Sequence, residues 1–239
     1  MVAAASPSRP ARAAAAPSPR IGGGTWLVLA AAVGIALVFA TDQVLPASSA
    51  HQAQVRVWLG ARAAGFMALA LLTFQVVVGL VLSHPTNKST WKLSKRLFPW
   101  HENAWIFTIA FGAAHVVSLA VDQFAKVGVL GAFVPGLSEY RSVPVALGTL
   151  SLYAMLATGL SARYTKRLPA GWWLKLHRLS LGVLALAWAH GFLAGSDSGA
   201  AAWVYLVTFV AVLAAAIYRY WVVRSARPTF ASSLTEGHR

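Results

Sequence analysis

The sequence predicts an all-α fold: a polytopic membrane protein, six transmembrane helices in one bundle with both termini cytoplasmic. Composition gives the class. Hydrophobic residues make up 58% of the 239-residue chain, mean hydropathy is +0.62 and only 11% of residues are charged, against about 25% in soluble domains. Those apolar residues gather into runs of about 20, the length a helix needs to cross a hydrocarbon core of about 30 Å. Lysine and arginine fall on alternate connections between the runs, and that alternation sets the topology.

Residues 1–22 are rich in Ala, Pro and Ser, carry Arg9, Arg12 and Arg20, and have no apolar periodicity. Such a stretch buries no core, so a disordered tail is expected ahead of a membrane domain over 23–223. The first span runs from Thr25 to about Val44. A signal peptide is the competing reading, since Pro46 to Ala50 offers small residues for cleavage. A signal's apolar region is only about 7–15 residues long, however, which favours an uncleaved helix. Val57 to about Ser83 is the second span, with Arg62 near its start, and the loop 84–100 is polar and basic. The third span covers about Glu102 to Ala120. Lys126–Leu137 is apolar, too short to cross, and broken by glycines and Pro135, which suits an interfacial or re-entrant segment. Spans four and five are expected over about Val143–Ala162 and Gly171–Ala194. A short acidic turn around Asp197 leads to span six, Ala201 to about Val223, and 224–239 form a short cytoplasmic tail.

The N-terminal tail, the 84–100 and 163–176 loops and the C-terminal tail are basic, whereas the alternate loops hold only Arg56, Lys126 and Arg141. Basic connections stay in the cytoplasm, and six spans make the parity consistent. Trp26, Trp91, Trp100, Trp172, Trp173 and Trp221 then mark the cytoplasmic interface, and Trp58 and Trp203 the outer one. The net charge of +14 follows from this topology, so membrane lipid is the expected partner and nucleic acid is not. A bacterial cell (inner) membrane is the expected location. Cysteine is absent, which removes thiolate-ligated haem, cysteine-bound iron–sulfur clusters, disulfides and cysteine zinc sites.

Four histidines stand in two spans: His101 and His115, fourteen apart in span three, and His177 and His190, thirteen apart in span five. At ~1.5 Å per residue each separation covers roughly 20 Å, one histidine per leaflet. Ionisable side chains at that depth are costly and face partners or cofactors. Two matched pairs point to two b-type haems stacked across the membrane. Both spans run from cytoplasm to outside, so depth pairs His101 with His177 and His115 with His190. Small neighbours leave room for a macrocycle: Gly112, Ala113 and Ala114 before His115, Gly182 after His177, Ala189 and Gly191 beside His190. One register is uncomfortable. Fourteen residues return to within roughly 40° of the same helix face, but thirteen miss it by roughly 140°. Span five therefore needs tilt or an irregularity, such as a π-bulge near Gly182.

With His101 and His115 in one helix and His177 and His190 two helices later, residues 25–223 resemble the ferric reductase-like transmembrane domain superfamily. The Gly60-Ala-Arg62-Ala-Ala-Gly65 opening of span two is similar to that family's second helix. The superfamily takes in ferric reductases, the membrane part of NADPH oxidases and the haem-binding membrane subunit of methionine sulfoxide reductase systems. The resemblance implies bis-histidine b haems that pass electrons from a cytoplasmic donor to an outer acceptor. The reductases and oxidases of that superfamily usually continue into flavin- and nicotinamide-binding domains, but no GxGxxG strand–helix unit is present here. An oxidoreductase component is therefore expected, with its donor a separate cytoplasmic flavoprotein (FMN or FAD) or a diffusible reductant.

Arg62 has two readings: snorkelling to the interface, or a charge partner for a haem propionate or an anionic acceptor. Arg178 and Lys175 either neutralise inner propionates or are ordinary positive-inside residues. Tyr140 and Arg141 are candidates to cap the outer haem, and Glu102 is an interfacial charge or a partner of His101. His51, His84 and His238 fall in loops or tails. Phe107, Phe111 and Trp188 lie between the haem levels, with helix packing the default reading. Two other functions compete: a haem-bearing anchor for a separate catalytic reductase, and a transporter that moves protons on histidines. The spans hold almost no carboxylates for such a proton relay.

Overall fold

The computed structural model describes residues 47–82, 91–196 and 198–225, with Thr25, Val28, Leu29, residues 32–36 and Ala40 ahead of them. Every regular element among the described residues is helical. Helix α1 spans Ala50–Leu82 and α2 Trp91–Val121; a short α3, Gly128–Phe133, precedes α4, Ser142–Arg163. A 3₁₀ turn at Thr165–Arg167 leads to α5, Trp172–His177, then α6, Ser180–Ala194, and α7, Ala202–Ser225. Five stretches are long and apolar enough to cross a membrane: Val55–Leu82, Lys92–Val121, Ser142–Arg163, Trp172–Ala194 and Ala202–Trp221. They correspond to predicted spans two to six. Most of the first span, the N-terminal tail, residues 226–239, His84 and His238 lie outside the described residues, and Arg224 and Ser225 of the predicted tail belong to α7.

Two helices are longer than their apolar runs. Helix α1 begins at Ala50 because Ser49 caps it: its Oγ accepts the Gln52 N–H at 3.1 Å, and its carbonyl accepts from Ala53. His51 thus sits exposed in the first turn of a helix and not in a loop. Helix α2 takes in residues 91–100, predicted as loop. Leu, Lys and Arg there are good helix formers, and the helix continues through Pro99 at the loss of one backbone bond. Its 31 residues make a rod of about 46 Å, longer than the roughly 30 Å hydrocarbon core.

Helix α1 lies along α2, and α4 along α6; α1 also touches α6 and α7, while α3 packs on α2 and α4. Lipid provides no hydrophobic drive for these contacts, so close packing and interhelical hydrogen bonds carry them. Gly34 seats against the Ala110 backbone and Gly159 against the Trp105 ring. Buried hydroxyls find carbonyls or amides: Thr108 Oγ1 donates to Gln75 Oε1 at 2.7 Å and Ser151 Oγ to the Val183 carbonyl at 2.9 Å. The piece expected to be interfacial or re-entrant is α3 with its flanking turns. Thr149 Oγ1 donates to the Ala132 carbonyl and Tyr153 Oη to the Phe133 carbonyl, which pins α3 to α4.

The fifth span is broken at Arg178–Leu179, immediately after His177, and the irregularity is a tight turn, not a π-bulge at Gly182. Leu179 N–H bonds back only three residues, to Leu176 O at 3.0 Å. A few residues in 3₁₀ geometry gain about 0.5 Å of rise and about 20° of rotation each over an α-helix. Both changes have the sign needed to make thirteen residues reach as far as fourteen.

Candidate functional site: two facing histidine pairs

The four histidines form the two expected pairs. His101 faces His177 with ring centroids 6.0 Å apart and planes at 78°; His115 faces His190 at 6.1 Å and 76°. The backbone explains how each ring reaches its place. A Cβ on Gly65 would stand 2.8 Å from His115 Nδ1, one on Gly148 2.7 Å from His190 Nδ1, and one on Gly79 3.1 Å from His101 Cε1. Each glycine opens a notch in the facing helix, and the ring drops into it. His115 Nδ1 then meets the Ala61 carbonyl at 2.7 Å, and His190 Nδ1 the Pro144 carbonyl at 2.8 Å. Ala61 lies one turn before Gly65, and Pro144 one turn before Gly148.

A carbonyl only accepts, so Nδ1 carries the proton in both rings and Nε2 keeps its lone pair for a ligand. At the other end the backbones of Gln75 and Thr158 adjoin the His101 and His177 rings, without completing a hydrogen bond to either buried Nδ1. The arrangement repeats. Ala61 and Gln75 are fourteen apart on α1, as are Pro144 and Thr158 on α4. The α1–α2 hairpin and the α4–α6 hairpin therefore present histidines in the same way.

Two metal–imidazole bonds of about 2 Å and a ring radius of about 1.1 Å on each side put axial imidazole centroids about 6.2 Å apart. The observed spacings of 6.0 and 6.1 Å fit that arrangement at both levels. Among the described residues no three or more His, Asp or Glu side chains converge on one point. Two imidazoles are too few for a bare ion but suit a metal already ringed by a macrocycle.

A cavity of about 210 Å³ opens at the His115–His190 end, and both rings line it. Its deep part is apolar, with Leu69, Leu72 and Met155; its mouth carries Trp58, Arg62, Tyr140 and Ser196. Arg62 is half-buried there. Its guanidinium stacks 4.5 Å above the Trp58 ring and donates to Ser196 Oγ at 3.2 Å. A flat molecule with an apolar body and an anionic edge would match this lining, edge outward.

The other singled-out residues divide. Arg178 is exposed on the turn after α5. Lys175 stands over the Trp172 ring at 5.1 Å, and Glu102 meets Arg163 at 3.9 Å instead of bonding His101. Phe107 faces outward, 57% exposed, and Trp188 stacks on Phe192 at 5.6 Å while its Nε1 donates to the Tyr205 carbonyl. Tyr140 Oη donates to the Ala194 carbonyl at 2.9 Å, and Arg141 Nη1 to the carbonyls of Leu193 and Gly195 at 2.7 and 3.2 Å. Arg141 thus grips the end of α6 and is not among the cavity-lining residues.

Sequence reasoning missed Trp105, buried one turn beyond His101 against Gly159, and Tyr205, which reaches the cavity from α7. Both lie in uniformly apolar stretches where nothing in the pattern separates a cavity wall from a lipid face. Comparison of the chain with protein-family models, curated proteins and solved structures gives no match.

Proposed function

We propose that this chain carries electrons across a membrane through two b-type haems, each held by one histidine of α2 and one from the α5–α6 segment. The observation that supports this most is the pair of facing imidazoles at axial-ligand spacing, repeated at two levels. A bis-imidazole haem cycles between ferric and ferrous iron without exchanging ligands. The protein's part is to hold the rings still. Glycine notches and the Ala61 and Pro144 carbonyls fix the orientation and tautomer of His115 and His190. The two levels are separated by roughly 20 Å of helix, and between them on α2 lie the buried Trp105 and Thr108.

On this reading the His101–His177 end is cytoplasmic, beside the exposed cations Lys92, Lys95, Arg96, Lys166, Lys175 and Arg178. The donor is a cytoplasmic flavoprotein holding FMN or FAD, and the acceptor is met at the Arg62 mouth on the outer side. The chain is then an oxidoreductase component of a bacterial inner membrane. The resemblance to the ferric reductase-like superfamily supports the same assignment.

The deciding measurement is a reduced-minus-oxidised spectrum of the purified protein with a haem-to-protein ratio. A b-type spectrum at about two haems per chain is expected. A ratio near one leaves one pair unused, and no haem after reconstitution turns the reading toward proton transport. For Arg62→Ala, the outer haem's midpoint potential is expected to fall, because a cation near a propionate favours the reduced, less positive iron. Potentiometric titration checks this, and an unchanged potential returns Arg62 to an interfacial role.

A further inference from the structure

Three successive carbonyls at the end of α6 are taken by two successive residues from another part of the chain. Leu193 O and Gly195 O accept from Arg141, and Ala194 O accepts from Tyr140. The last carbonyls of a helix have no partner within it and need one from outside. Here the partners come from the residues that lead into α4. Four residues before Ala194, His190 is bonded to Pro144, in the first turn of that same helix. The beginning of α4 and the end of α6 are therefore stapled at three points, and His190 is one of them.

Backbone geometry marks Arg141 further. Its φ is 42° and ψ 62°, a left-handed conformation that suits glycine. Among the described residues only Lys126 shares a positive φ without being glycine. Strained backbone of this kind persists where surrounding contacts determine it, and at Arg141 the two carbonyl bonds of its guanidinium act together with its own carbonyl, which accepts from Val145 N–H at 3.1 Å, and with the Tyr140 ring beneath the guanidinium. The loop leading to it is itself held: Ser138 Oγ donates to the Tyr140 carbonyl at 2.9 Å and accepts the Tyr140 N–H at 3.2 Å.

We infer that Arg141 and Tyr140 are positioning residues for the outer site: they fix the last turn of α6 and so the place of His190 opposite His115. Neither touches the ring. The inference rests on the haem reading above, and the test separates the two. In the full chain, Arg141→Gly removes the two carbonyl bonds of the guanidinium while relaxing the left-handed backbone, a gain that offsets part of their loss, and Tyr140→Phe removes only the hydroxyl. Both are compared with wild type by haem titration and by the low-spin electron paramagnetic resonance signal of each haem.

Arg141→Gly is expected to weaken outer-haem retention about ten-fold and to shift that haem's low-spin signal, with the inner signal unchanged. Tyr140→Phe shifts the same signal by less, and Arg141→Lys restores part of it. A two-haem wild type whose outer signal is the same in Arg141→Gly overturns the positioning role and leaves the haem reading intact. A wild type that takes no haem overturns both.

Discussion

His115→Ala should lose one haem and keep the other. On the haem reading the outer iron would lose an axial ligand, whereas His101 and His177 lie roughly 20 Å of helix away. The haem-to-protein ratio is expected to drop from about two to about one, with the remaining signal matching the inner site of the wild type. The fold should survive. The substitution removes one hydrogen bond, His115 Nδ1 to Ala61 O, worth about 1 kcal/mol, and α1 still packs along α2 through the rest of its length. Loss of neither haem, or of both together, contradicts the pairing of His115 with His190.

The second large effect should come from a single methyl group. Gly148→Ala puts a Cβ 2.7 Å from His190 Nδ1, nearer than real Cβ contacts come, so the ring must leave its notch. The Pro144 bond goes with it. Over-packing of this kind costs about 1–3 kcal/mol, read as a lower melting temperature, and the outer haem signal should weaken sharply. Gly79→Ala is the graded counterpart. Its Cβ would meet His101 Cε1 at 3.1 Å, a distance the ring relieves by moving a few tenths of an ångström, so the inner haem should be retained. If both variants behave alike, the notches do not set ring position.

Much of this was legible in the sequence because membrane depth is a one-dimensional coordinate. Apolar run length located five of the helices, and residue counting alone placed His101 level with His177 and His115 level with His190. Lateral position was not legible. Which face of α2 met α1 depended on Gly65 and Gly79, and those glycines are unremarkable in a chain with 19 of them. Their meaning appears only when their positions are set against Ala61 and Gln75, one turn earlier on the same face. The loop predicted over 84–100 failed in part for a related reason: Lys92, Lys95 and Arg96 make residues 91–100 basic, and charge marks the end of the membrane, not the end of a helix. The bonds of Arg141 to the end of α6 were not legible, because its sequence neighbourhood says nothing about where α6 stops.

The break after His177 has a mechanical meaning. His101 and His115 ride on one unbroken rod, so any tilt of α2 moves both together. Across from them, His177 stands on a six-residue helix and His190 on a separate one, with a joint at Arg178–Leu179 between. One side of the stack is stiff and the other articulated. The tighter turn at that joint adds rise and rotation between His177 and His190, so the register of one level against the rod is set separately from that of the other.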